Sequence, residues 1–298
     1  MSAVRAPAAE PPVEAAPAPA RSKPPKPFDR PRFLPAFTAV FFIFMFAPIV
    51  IVALFSFNST RSLQRFEGFS LQWYQRFLED ESLRESLMAS IQIATVTMLA
   101  ATALGTMLAF ALVRARSRWA GSANVLMLVP LVTPEIVAAV SALVLFTQIG
   151  WQLSLETVMV AHITFSISYV TVVVRARLAA LNPEVEQAAL DLGATRWGTL
   201  RLVTLPELWP AIVAAALLTF ALSFDDFVLS FFTTGESPQP LPVRIYSAIR
   251  FGVTPTINAI GTLMLTVSAL LILLAIMLPR LVGRRESGLG VLVGRESA

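Results

Sequence analysis

The chain has 298 residues, of which 56 % are hydrophobic and 14 % charged, with a formal net charge of +4 and a mean hydropathy of +0.70. A soluble domain carries about a quarter charged residues, so this chain lacks the polar surface to face water all round. Cysteine is absent, which excludes disulfides and thiolate chemistry, and the basic residues sit beside apolar runs, as orientation charges do, not on a nucleic-acid-binding face.

Residues 1–32 are rich in Ala and Pro without a helical period and read as a disordered tail. The apolar run that follows, Phe33 to Phe57, is too long for the core of a secretory signal and reads as a first membrane span. Further spans are expected near 86–113, 122–148, 155–175, 208–233 and 257–282, each close to or above the roughly 20 residues that cross a bilayer. The expected fold class is all-α: a polytopic membrane domain of about six helices over 33–283, between the tail 1–32 and a second tail, 284–298. The fourth span carries His162, Thr164, Ser166 and Ser168, so it is expected to be buried among its neighbours.

Arginines set the orientation. Arg114, Arg116 and Arg118 follow the second span, Arg175, Arg177, Arg196 and Arg201 follow the fourth, and Arg280, Arg284, Arg285 and Arg295 close the chain. Positive-inside therefore puts both termini in the cytoplasm. The opposite loops hold an amphipathic piece around Trp73 and Tyr74, and LPVRIYSAIRFGV, where Val243, Ile245, Tyr246 and Ile249 share a face; both are expected to be short helices on the outer surface.

One cytoplasmic stretch, EQAALDLGATRWGTLRLVTLP (186–206), is polar and helix-forming. Asn182-Pro183-Glu184 is a helix start, with Asn as N-cap, Pro in the first turn and Glu against the helix dipole. That helix is expected to reach Leu192, with Gly193 as a left-handed stop. Thr195 then caps a second short helix ending at Pro206. The small Ala188–Ala189 patch lets another backbone approach, which fits a docking hairpin for a cytoplasmic partner.

The run Gln187-Ala188-Ala189-x-x-x-Gly193, then nine residues and Val203-Thr204-Leu205-Pro206, resembles the EAA loop of bacterial ABC-importer permeases. The family's usual Glu falls on Gln187, with Glu186 one place earlier, so either residue is open as the partner contact. SFNST (56–60), PLVTPEIV (130–137), HITF (162–165), LSFDDFVLSFFTTG (222–235) and LPVRIYSAIRFGVTPTINA (241–259) are similar to the spermidine/putrescine permeases. The resemblance implies the type I importer permease fold, with Glu186, Gln187, Ala188, Ala189, Gly193, Leu205 and Pro206 coupling to an ATPase dimer. It also implies a second homologous permease, a periplasmic substrate-binding protein and a polyamine substrate. Lys23 and Lys26 are the only lysines, so no GxxxxGK[ST] phosphate loop is present. No cofactor is expected on this chain; ATP and Mg2+ belong to the partner ATPase.

Glu135, Asp225 and Asp226 lie in or near expected spans. A charge at the bilayer centre costs about 2.5–3.5 kcal/mol, so such acids face a cavity or a partner. Two readings compete for them, a pathway carboxylate for a polyammonium cargo or a helix–helix hydrogen bond. Asp225 and Asp226, about 100° apart on a continuous helix, should not both point into a path. Tyr246 joins Glu135, Asp225 and Asp226 as a pathway candidate, with interface anchoring as its other reading. His162, without metal-ligating neighbours, reads as a buried histidine bonded to an adjacent helix. Another small cation or an iron-type cargo is the second substrate reading. An ion-coupled carrier using the three acids leaves the 182–206 hairpin unexplained.

Overall fold

The computed structural model describes residues 33–62, 64–114, 120–236 and 238–293; the expected tail 1–32 and the arginines at 116, 118 and 295 lie outside these. The helices are α1 (Phe33–Phe55), α2 (Gln72–Glu79), α3 (Glu81–Arg114), α4 (Ala120–Val132), α5 (Glu135–Gln148), α6 (Leu155–Ala179), α7 (Pro183–Asp191), α8 (Arg196–Thr199), α9 (Leu205–Phe224), α10 (Val228–Thr233), α11 (Leu241–Ile249) and α12 (Pro255–Val293). Among the described residues the only strand-like pairing is the isolated bridge between Asn58 and Phe69.

Five helical stretches are long and apolar enough to cross a membrane: 33–55, 81–114, 155–179, 196–224 and 255–278. The expected span at 122–148 is instead broken. α4 and α5 meet at 105° across Thr133-Pro134, and the pair makes a sixth crossing only if counted together. Proline explains the position: it lacks an amide donor, clashes with the preceding turn and biases Thr133 away from helix. The expected span at 208–233 is also interrupted, because α9 ends at Phe224 and α10 restarts at Val228.

From Pro48 onward the described residues form one compact unit in which α3, α6 and α9 are the packed centre. Ala101 and Ala109 of α3, Val170 and Val174 of α6, and Leu208 and Ile212 of α9 interlock there. Small residues on α3 allow the close approach that membrane helices need in the absence of a hydrophobic driving force between them. Gly105 shows the limit: a Cβ there would sit 2.7 Å from Val170 Cβ. A second cluster joins Phe77 of α2, Ala94 of α3, Phe224 of α9, Leu241 of α11 and Ile260 of α12.

α3 has opposite partners at its two ends. Its N-terminal half meets α2 and α11, with the Leu241 amide donating to Ser90 Oγ at 2.8 Å, while Arg114 at its other end reaches the 182–206 hairpin. The outer helices and the hairpin therefore lie at opposite ends. Ahead of α2, Asn58 is fully buried and organises the 56–70 loop by donating to the carbonyls of Ser62 and Arg65 at 2.8 and 2.9 Å and accepting from the Glu67 amide. Trp73 is buried, with its indole N–H on the Asn58 carbonyl, and Tyr74 pairs with Ser56 at 2.8 Å. These aromatics are structural parts of the outer loop.

Candidate functional site: an acidic cavity and a clipped hairpin

The helix breaks bring together residues that the sequence scatters. Glu135 opens α5 directly after the Pro134 bend, Asp225 caps the C-terminus of α9, and Asp226 lies in the break before α10. The two aspartates therefore do not sit on the continuous helix that the sequence predicted; a break runs through them. A cavity of about 250 Å³ is lined by Glu135, Asp226, His162, Tyr169, Ser166 and Ser223, among others. Glu135 is exposed at this cavity, whereas the Asp226 side chain is only 8 % exposed and adjoins the Glu135 carboxyl. Among the described residues no Lys or Arg lines it; the two carboxylates share the space with His162, whose Nε2 lies 3.6 Å from Asp226 Oδ1.

Asp225 does not line this cavity and lies beside Ser268 of α12. Tyr246 is also outside it, half-exposed, with its ring 4.7 Å from that of Phe227 and 5.7 Å from that of Phe231. The expected apolar face of α11 is shifted, since Leu241 and Val243 are buried while Tyr246 and Ile249 are exposed. His162 is buried, as expected, and bonds Ser223 of α9 at 2.8 Å and Ser230 of α10 at 3.2 Å. Ser223 and Ser230 were missed at the sequence level, although they stand on either side of the two aspartates in SFDDFVLS, two residues before Asp225 and four after Asp226.

The hairpin begins as predicted. Asn182 Oδ1 accepts from the Glu184 amide at 3.0 Å, and α7 ends with Gly193 at φ +89°. Thr195 Oγ1 accepts from the Gly198 amide at 3.1 Å to start α8. The predicted stop at Pro206 is not there. α8 passes through a π-helical segment, Leu200–Thr204, directly into α9, with the Leu205 amide bonding the Leu200 carbonyl five residues back. The wider turn relieves the clash that a proline ring makes with the carbonyl four residues earlier. The second arm of the hairpin is therefore continuous with a membrane helix.

Glu186 faces inward. Its Oε1 accepts from Arg114 Nη2 at 2.5 Å and from Thr204 Oγ1 at 2.6 Å, so one carboxylate ties α7 to the end of α3 and to the π segment. Gln187 and Ala188 are exposed, and Ala189 is half-buried. Leu205 packs under the hairpin against the central cluster, and Pro206 is exposed at the start of α9. Leu192, Trp197 and Leu202 stand 90 %, 70 % and 75 % exposed on the same hairpin. Arg114 reads from sequence only as an orientation charge, and Thr204 stands in the Val203-Pro206 run without an assigned role.

Residues 101–288 match the model of the binding-protein-dependent transport system inner membrane component family. The chain is 37 % identical over 245 residues to the spermidine/putrescine transport system permease protein PotC of Haemophilus influenzae, covering 82 % of this chain and 95 % of that one. It is 38 % identical over 231 residues to the putrescine transport system permease protein PotI of Escherichia coli, covering 75 % and 82 %. Among solved structures it resembles a bacterial ABC transporter involved in import of the acidic polysaccharide alginate, with a TM-score of 0.65, 16 % identity and coverage of 83 % and 95 %. The alginate transporter, at that identity, shares the fold; the family match and the two relatives carry more, and the chain belongs to the family of binding-protein-dependent transport system inner membrane components.

Proposed function

We propose that the chain is the permease subunit of an ATP-driven ABC importer that carries polyamines, spermidine or putrescine, across the bacterial inner membrane. The observation that supports this most is the cavity where Glu135 and Asp226 meet with no Lys or Arg among its described lining residues. A primary ammonium entering a membrane loses its hydration, and charge-assisted hydrogen bonds to carboxylates offset that loss. Tyr169 also lines this cavity, and an aromatic ring can attract a cation. The family's relatives named for polyamines agree with this cargo.

Energy enters through the hairpin. An ATPase dimer docks on Gln187, Ala188, Ala189 and the exposed Leu192 and Trp197, and its closure moves α7 and α8. Glu186, Gly193, Leu205 and Pro206 fix the hairpin's shape and its junction with α9. A second, homologous permease completes the path and a periplasmic binding protein delivers cargo. Both termini are cytoplasmic, with the membrane domain spanning 33–283. The chain binds no cofactor itself; ATP and Mg2+ act on the partner.

The test is reconstitution of the chain with its second permease, ATPase and binding protein in proteoliposomes. Polyamine uptake should require ATP and all components. Uptake by this chain alone under an ion gradient would establish the secondary-carrier reading instead.

A further inference from the structure

The break between α9 and α10 poses a mechanical problem. α10 has six residues, Val228–Thr233, too few for a helix to hold itself in water or lipid. Yet Asp226, between the two helices, lines the cavity with a side chain only 8 % exposed. Something outside the break must fix both of its edges.

His162 does so from α6. Its ring is 2 % exposed, with Nδ1 2.8 Å from Ser223 Oγ on α9 and Nε2 3.2 Å from Ser230 Oγ on α10. Ser230 in turn donates its backbone N–H to Asp226 Oδ1 at 3.2 Å. Asp226 Oδ1 itself lies 3.6 Å from Nε2, outside hydrogen-bond range but adjacent. In either neutral tautomer one ring nitrogen donates and the other accepts, and each serine hydroxyl can supply the complementary role. The imidazole therefore spans the break, with one nitrogen on each side of it.

We propose that His162 is a positioning residue for cargo passage: it clamps Ser223 and Ser230 across the α9–α10 break and thereby aims the Asp226 carboxylate into the cavity. This rests on the reading of that cavity as the cargo path. The two-sided geometry makes the requirement specific. Asparagine places a polar atom near the Nδ1 position and glutamine near the Nε2 position, so each preserves one serine contact and loses the other.

The experiment is His162→Asn and His162→Gln, with Ser230→Ala as an independent cut in the same chain. Each is assembled with its partner subunits in proteoliposomes and assayed with labelled putrescine and spermidine. The measured quantity is cargo moved per ATP hydrolysed, which a loss of folded complex leaves unchanged because both rates fall together. The expected result is a several-fold drop in that ratio for all three variants. A ratio equal to wild type in the variants that assemble, whatever the yield, makes His162 a packing residue and overturns the proposal. Should both histidine variants fail to assemble, Ser230→Ala decides alone by the same criterion. A wild-type complex that moves no polyamine at all overturns the function reading, an outcome distinct from an unchanged ratio.

Discussion

Arg114 at the last turn of α3 and Glu186 on α7 are 72 residues apart in sequence and 2.5 Å apart in space, and the same Glu186 oxygen accepts from Thr204. The carboxylate next to the EAA-like run is thus already engaged within the chain, whereas Gln187 is exposed, and on the docking proposal above Gln187 is the residue available to the ATPase. The pair is partly solvated, at 42 % and 31 % side-chain exposure, so it contributes only roughly 0.2–1 kcal/mol to stability. Its role is geometric. Glu186→Ala and Arg114→Ala should each lower cargo-stimulated ATP hydrolysis several-fold with little change in thermal stability. A double-mutant cycle should show the two effects to be non-additive. Gln187→Ala should instead weaken ATPase affinity, measured by co-purification, and combine additively with Arg114→Ala.

The cavity separates the three intramembrane acids. Glu135 and Asp226 line it and Asp225 does not. A hydrogen bond to a charged group is worth about 1.5–3 kcal/mol, so Glu135→Gln or Asp226→Asn should reduce polyamine uptake by roughly tenfold to a hundredfold. Asp225→Asn should have a clearly smaller effect. Uptake normalised to assembled complex checks this order, and equal losses at all three positions would contradict the assignment.

Much of this was legible in the sequence. Apolar run length gave α1, α3, α6 and α12 to within a few residues at most ends, because bilayer thickness sets span length directly. Capping chemistry gave α7 and α8, since Asn182, Gly193 and Thr195 act within a few residues of themselves. The helix breaks were not legible as breaks. Pro134 marked a kink, but a proline alone does not specify the 105° found here, and α5 also packs against α10, far away in sequence. No proline or glycine announces the break at Asp225–Phe227; it is held by His162 from another helix, and such long-range satisfaction leaves no local signal. Pro206 misled for a related reason, because the π segment before it removes the clash that ordinarily ends a helix.

Gly193 has φ +89° and a Cβ built on it meets nothing within 4 Å. Its requirement is therefore backbone conformation alone. L-residues with a Cβ lose roughly 1–2 kcal/mol per left-handed position, and asparagine less than others. Gly193→Asn should retain most ATPase stimulation by loaded binding protein, Gly193→Ala should lose part, and Gly193→Val should lose nearly all. Insertion should be preserved in all three, read as equal membrane-fraction yield. The reverse order of Asn and Ala would show that side-chain space, not φ, governs the turn.

Gly105 makes the opposite demand. It has ordinary helical geometry, but an added Cβ would fall 2.7 Å from Val170 Cβ, 2.8 Å from Val170 Cγ1 and 3.0 Å from the Ile167 carbonyl oxygen. The obstacle includes atoms close to the α6 backbone, so it cannot rotate away, and α3 and α6 must separate. Over-packing of this kind costs about 1–3 kcal/mol. Separation would also stretch the bond from Thr171 Oγ1 to the Gly105 carbonyl, now 3.2 Å. Gly105→Ala should therefore lower the thermal midpoint of the detergent-purified complex. Adding Val170→Ala should restore only part of the loss, because it removes Cγ1 and leaves Cβ in place. Full rescue by Val170→Ala would mean that the contact is with the flexible end of the side chain and that α3 and α6 do not set each other's distance at this point.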